Sequence, residues 1–193
     1  MSLDGNMKLG IAAAAYVRQK VPKSANYKFT SSVITFNSKP LKMMTARDSD
    51  LANLRATYDK PGKGDDAAAI WKKICANVAK IEKRGIGNCG EVAAVALVYL
   101  KSTGTSETLD YVYIIDGATS NAVVPHVVAV IGRGGDTTLD IGLPGTWSAD
   151  AVICDPWDRV VYPAKDYDFY WKGLKTHSSR PNDLTCQLKL RVP

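Results

Sequence analysis

No stretch of the chain approaches the ~20 consecutive apolar residues that a bilayer-crossing helix requires, so a membrane span is not expected. The nearest thing to a targeting segment is the alanine-rich run 9–17. Asp4 precedes it, and Arg18, Gln19 and Lys20 continue it as a helix, so it reads as an N-terminal helix rather than a signal-peptide core. Internal repeats and low-complexity tracts are also lacking. With 193 residues, 46% of them hydrophobic, the chain has enough apolar mass to bury one core, and residues 1–193 are expected to form a single domain.

Nucleic-acid recognition lacks its usual marks. The net charge is +6, but no basic–aromatic ladder or RNA-binding signature accompanies it. Lys72, Lys73, Lys80, Lys83 and Arg84 interleave with apolar positions and gather at one end, the pattern of a solvated helix face whose dipole favours cations there. The excess charge instead favours an acidic protein partner.

Cysteine and histidine are scarce. Four cysteines in 193 residues do not make a disulfide scaffold. Cys75 falls on the apolar face of a helix. Cys154 lies inside a strand run, and Cys186 belongs to a strand that alternates Leu184, Cys186, Leu188, Leu190 and Val192 on one face. These three read as core thiols of a reducing compartment. The two histidines are His126 and His177, and neither belongs to a close-spaced ligand pair. A zinc site from Cys89, His126 and Asp155 would have allowed ligand types without that spacing, so no metal and no cofactor are expected.

What is present centres on Gly87-Asn88-Cys89-Gly90-Glu91, followed by the apolar run 92–100. Asn88 is a favourable N-cap, and Glu91 stands at the capping-box distance, so Glu91 reads as a cap rather than an acid. Cys89 then becomes the first helical residue, facing the orphan N–H groups and the positive end of the helix dipole. That setting favours the thiolate, the nucleophilic form. The same N–H groups, with Asn88, can receive an oxyanion, and Gly90 leaves the sulfur uncluttered. The run 92–100 has no polar face and must be enclosed by protein; residues 101–104 supply its stop. Read more plainly, Cys89 is a small apolar residue at a helix start, and such cysteines are commonly inert.

His177 lies in a polar segment of loop composition. His126 follows Pro125 and opens a β-branched run, which places it at the end of a buried strand. A histidine there can equally be a core residue satisfied by a carbonyl. Asp155 closes a second apolar run and is followed by Pro156 and Trp157. If the two strands are neighbours, Asp155 can hold the His126 ring in the tautomer that accepts the Cys89 proton. Asp140, Asp150 and Asp158 are rivals, the first two inside the loop-like region 132–150. Trp157 is expected to pack beside the dyad and exclude water.

Helices are expected over 5–20 and from Asp65 or Asp66 to Arg84, the second with Ile70, Ile74, Val78 and Ile81 at helical spacing and Gly85 beyond its end. Strands are expected at 27–36, 111–115, 126–133, 151–154, 160–162 and 184–192. A breaker falls at 60–64, a loop or hairpin at 132–145, and a helical turn or flap at 166–171. Helices to about residue 104, with an antiparallel sheet over 105–193, indicate α+β, the thiol helix lying between the two.

Gly-Asn-Cys89-Gly-Glu on a central helix, His126-Val-Val-Ala-Val on a strand and Val-Ile-Cys-Asp155-Pro-Trp on the next resemble the papain-like Cys-His-Asp superfamily, and within it the bacterial effector and toxin domains that act as glutamine deamidases or proteases in host cells. The resemblance covers residues 85–160. It implies a papain-like fold and a Cys89 nucleophile that attacks an amide carbonyl to give a thioester, resolved by water. His126 is then general base and acid, and Asp155 the orienting group. It also implies a protein substrate, one of a host included, and a bacterial cytoplasmic location before any export. The Cys–His separation of 37 suits the compact effector type, while the His–Asp separation of 29 requires the excursion 132–150. Where classical papains place a glutamine oxyanion donor, this chain has Lys83, so Asn88 or the Cys89 N–H must serve. Two further readings share these residues: an acyltransferase of transglutaminase or arylamine N-acetyltransferase type, and a non-catalytic binding module.

Overall fold

The computed structural model describes residues 1–24, 66–116, 126–171 and 184–193. The strand expected at 27–36, the breaker at 60–64 and His177 lie outside these residues. Helix α1 (Leu3–Lys20) is capped by Ser2 and buries Asn6, Gly10, Ala13, Ala14 and Val17. Gly10 lets it lie close to the sheet, because a Cβ there would stand 2.7 Å from Val161 Cγ1. Asp66 accepts from the Ala69 N–H at 2.7 Å and starts α2 (Ala67–Arg84). Gly85, at φ +63°, ends it in the left-handed conformation that glycine adopts without strain. Two-residue strands β1 (Lys23–Ser24) and β2 (Ile86–Gly87) then pair in parallel and lead into α3 (Cys89–Ser102).

A five-stranded antiparallel sheet follows: β3 (Leu109–Asp116), β4 (His126–Ile131), β5 (Val152–Asp155), β6 (Val160–Pro163) and β7 (Leu184–Arg191), in the order β6-β5-β4-β3-β7. The fold is therefore α+β, as the segregation of helical and strand patterns predicts. Among the described residues, no helix is long and apolar enough to cross a membrane. Every residue of β4 is buried. Its alternate side chains, Val127, Ala129 and Ile131, pack under the helices, while Val128 and Val130 enter a second core. That second core is closed by Ile141 from the 132–150 excursion and by Ala164 and Trp171 around the short α4 (Tyr167–Tyr170).

Two expectations need correction. The alternation of Leu184 to Val192 predicts one continuous face, but Leu184, Cys186 and Leu188 enter the second core, whereas Leu190 joins the helix-side core. The cause is a bulge: Tyr111 pairs with Leu190 but Val112 pairs with Leu188, so Lys189 is skipped and the strand changes faces. Cys75 is only partly buried, unlike Cys154 and Cys186, because it sits at the margin of the α2 stripe formed by Ile74, Val78 and Ile81.

At the end of the sheet remote from His126, the wholly buried Asp110 carboxylate on β3 binds two guanidinium groups. Arg133 Nε donates at 2.6 Å, and Arg191 donates from Nε and Nη2 at 2.8 and 2.9 Å. Removing the shared anion strands a buried cation, which typically costs roughly 3–5 kcal/mol. Asp110→Ala should therefore lower unfolding free energy by about that amount in a denaturant titration. The neighbouring surface change Lys189→Ala should stay within about 0.5 kcal/mol of the parent.

Candidate active site

Cys89 opens α3 as its first residue, with Asn88 as the extended N-cap. The Glu91 carboxylate turns back and accepts from the Asn88 N–H at 2.8 Å, so the cap expected of Glu91 is what it forms, fully buried. Gly87 is required for this close turn, since a Cβ there would meet Glu91 Cβ at 2.9 Å. The Asn88 carboxamide faces the first turn, but its buried Oδ1 finds no donor at hydrogen-bond distance. Behind α3, Val95, Ala96, Leu97 and Leu100 are fully enclosed, which fixes the helix along its length. The Cys89 side chain is half-exposed, open to a reactant in a way that Cys154 and Cys186 are not.

Gly90 is held for a reason the sequence conceals. The Tyr111 hydroxyl on β3 donates to the Gly90 carbonyl at 3.2 Å, and a Cβ on Gly90 would stand 3.0 Å from that oxygen. Tyr111 thus ties the first turn of α3 to the sheet. Nothing in its sequence setting, an aromatic at the start of a strand, marks it for that task.

Strands β4 and β5 are antiparallel neighbours with Ala129 opposite Cys154. One step further along this ladder, Asp155 comes level with Val128, two residues from His126 on the same side of the sheet, the diagonal relation at which long side chains meet. His126 Nε2 and Asp155 Oδ2 are 2.6 Å apart, both side chains almost completely buried. Asp155 Oδ1 accepts from the Asp158 N–H at 3.1 Å. Two of the three rival aspartates are engaged elsewhere: Asp150 accepts from the Leu3 N–H at the start of α1, and Asp140 from Gly142 N–H in its own turn, whereas Asp158 stays beside the pair.

Burial opposes a charge on His126, but the Asp155 carboxylate, its hydrogen bond and then Cys89 outweigh it and raise the ring pKa to about 10. Cys89 acts through both a hydrogen bond and its charge. With Nε2 committed to Asp155, Nδ1 is the ring nitrogen left for the thiol. The arrangement is therefore an imidazolium set between Asp155 and Cys89. The Trp157 ring lies 5.5 Å from that of His126, tilted by 57°, and shields it from water.

Burial, with a smaller push from the nearby Asp155 and Asp140 charges respectively, holds the Cys154 and Cys186 thiols far above the ordinary thiol range, and burial also raises Cys75. Lys83, at the position where papains carry a glutamine, is exposed. His126, Asp155 and Asp158 bring potential metal-ligand atoms within 4.8 Å of one another. Two of the three are already joined in the short hydrogen bond, which a metal would have to replace. Compared with protein-family models, curated proteins and solved structures, the chain matches none of them.

The raised His126 pKa has a stability consequence of definite sign. The folded state holds the proton more tightly than the unfolded chain, so the stabilisation is complete below about pH 6.5 and is lost as pH rises toward about 10. Denaturant titrations should show stability falling across that window, and His126→Gln should remove most of the slope.

Proposed function

We propose that the protein is a cysteine-dependent amidohydrolase on a papain-like scaffold, acting on a protein glutamine side chain or a peptide bond as bacterial effector-type deamidases and proteases do. One observation carries this reading. The buried imidazole is bonded through Nε2 to Asp155, and its other side is within the influence of a half-exposed thiol at a helix N-terminus. A packing cysteine has no need of a buried His–Asp pair beside it, and a core histidine has no need of a thiol.

The steps follow from that arrangement. The Cys89 thiolate attacks the amide carbonyl carbon, a C–S bond forms, and the carbonyl electrons move onto oxygen. The Cys89 backbone N–H at the start of α3 faces that oxyanion. The Asn88 carboxamide can add a donor there, since rotation about its last torsion presents Nδ2 where the unpartnered Oδ1 stands. The oxyanion then collapses and the C–N bond breaks. His126 gives its proton to the departing nitrogen, leaving as ammonia from a glutamine or as an amine from a peptide bond. Neutral His126 next takes a proton from water, which attacks the thioester carbon. The C–S bond breaks, the product leaves as a carboxylic acid that ionises in solvent, and the thiolate–imidazolium pair is restored. Asp155 holds the ring so that one nitrogen serves both transfers. If an amine replaces water in the last step, the same intermediate yields acyl transfer.

Two measurements test this. In the folded protein near pH 7, iodoacetamide should label Cys89 at least tenfold faster than Cys75, Cys154 or Cys186, and His126→Ala should abolish the advantage. Incubation with a bacterial or host proteome should yield glutamines heavier by about 1 Da, or new N-termini, that Cys89→Ala does not produce. A larger mass increment on glutamine would move the assignment to acyl transfer. Slow, equal labelling of all four cysteines, with no product distinguishing parent from Cys89→Ala, would remove the enzymatic reading.

A further inference from the structure

We infer that a cavity beside the Cys89–His126 pair is an anion subsite, which selects protein substrates carrying an acidic side chain next to the amide under attack. The inference rests on the amidohydrolase reading above. The cavity, about 180 Å³ in volume, lies between the end of α1, the entry to α3 and the β5–β6 turn. Two of its lining residues neighbour the dyad. Gly87, two residues before Cys89, forms one wall, and Trp157, whose ring neighbours that of His126, forms another. Val17 and Val92 contribute apolar surface, and its charged lining residues are Arg18 and Arg159.

Among the described residues, no anion pairs with either arginine, and the one hydrogen bond of Arg18 runs from Nε to the Ala14 carbonyl of its own helix at 3.4 Å. By comparison, Arg133 and Arg191 share Asp110 and also donate to the carbonyls of Asp136, Gly134 and Gly135. Arg159 is unusual in its backbone as well. At φ +62° it is the non-glycine residue with positive φ among those described. Glycine or asparagine occupies that conformation at lower cost, so the turn itself gives no reason for arginine. Its guanidinium at the cavity does.

Two guanidinium groups lining one cavity beside apolar side chains are suited to bind a carboxylate in charge-assisted hydrogen bonds. The volume lies below the roughly 300–1,000 Å³ of sites that enclose whole small molecules, and is on the scale of one side chain. The net charge of +6 would steer such an acidic partner toward the protein.

The test uses the full chain and two isosteric probes, N-acetyl-glutamate N-methylamide and N-acetyl-glutamine N-methylamide, followed by the Trp157 indole N–H resonance. The glutamate probe should shift this resonance saturably and the glutamine probe should not. Arg18→Gln and Arg159→Asn are exposed changes, the second chosen to tolerate the positive φ. Each should weaken glutamate binding roughly tenfold, and the pair together should abolish it. Equal responses to the two probes, binding that survives the double variant, or a response to inorganic phosphate but not to glutamate would overturn the proposal. Iodoacetamide labelling separates its failure from that of the enzymatic reading. Fast Cys89 labelling with indistinguishable probes removes the subsite alone. Slow Cys89 labelling with intact glutamate binding removes the amidohydrolase, and with it the assignment of the cavity to a substrate.

Discussion

The enclosure of α3 is the constraint on which the rest depends. A helix with no polar face between Val92 and Leu100 has to be surrounded, and here α1 and α2 cover it on one side and β3 and β4 on the other. Once its flanks are fixed, its N-terminus has a fixed address at the sheet end where β4 begins. The thiol, the imidazole and the carboxylate are contributed by three elements that the core holds rigidly, not by mobile loops. A site of this kind gains precision from packing already needed for stability.

The same enclosure sets the electrostatics. A histidine buried this deeply would ordinarily shed its proton, because desolvation penalises the charged form. It keeps the proton only because Asp155 is hydrogen-bonded to one nitrogen and Cys89 lies near the ring. Asp110 solves the opposite problem at the other end of the sheet, one anion serving two cations. Neither cluster is strong evidence of net stability, since buried ion pairs give back much of their attraction in desolvation. The first is set beside a half-exposed thiol and a cavity; the second is closed on itself.

Much of this was legible in the residues. The Asn88–Glu91 spacing announces the start of α3, Asp66 and Gly85 bracket α2, and β-branched runs locate β4 and β5. The meeting of His126 and Asp155 was conditional on strand adjacency, which short-range patterns cannot decide. The sheet order supplies it. Tyr111, Arg18 and Arg159 were not legible, because their roles arise from contacts between segments distant in the chain. The role of Gly87 escaped for a different reason: a glycine's purpose depends on which atom would collide with a side chain it lacks. The change of face in β7 was hidden too, since a bulge leaves the hydrophobic alternation intact on paper and shifts only its partner.

That skipped residue, Lys189, lets one edge strand cap both hydrophobic layers. Leu184, Cys186 and Leu188 close one, and Leu190, two positions on, closes the other. The spacing there behaves as a length gauge. A chain lacking Lys189 would close the bulge into a regular ladder that still sets Leu190 opposite Tyr111 and Arg191 opposite Asp110, whereas a chain one residue longer there would have to widen the bulge or carry both out of register. Evolution at this strand should therefore tolerate exchange or loss of the bulged residue better than a further insertion.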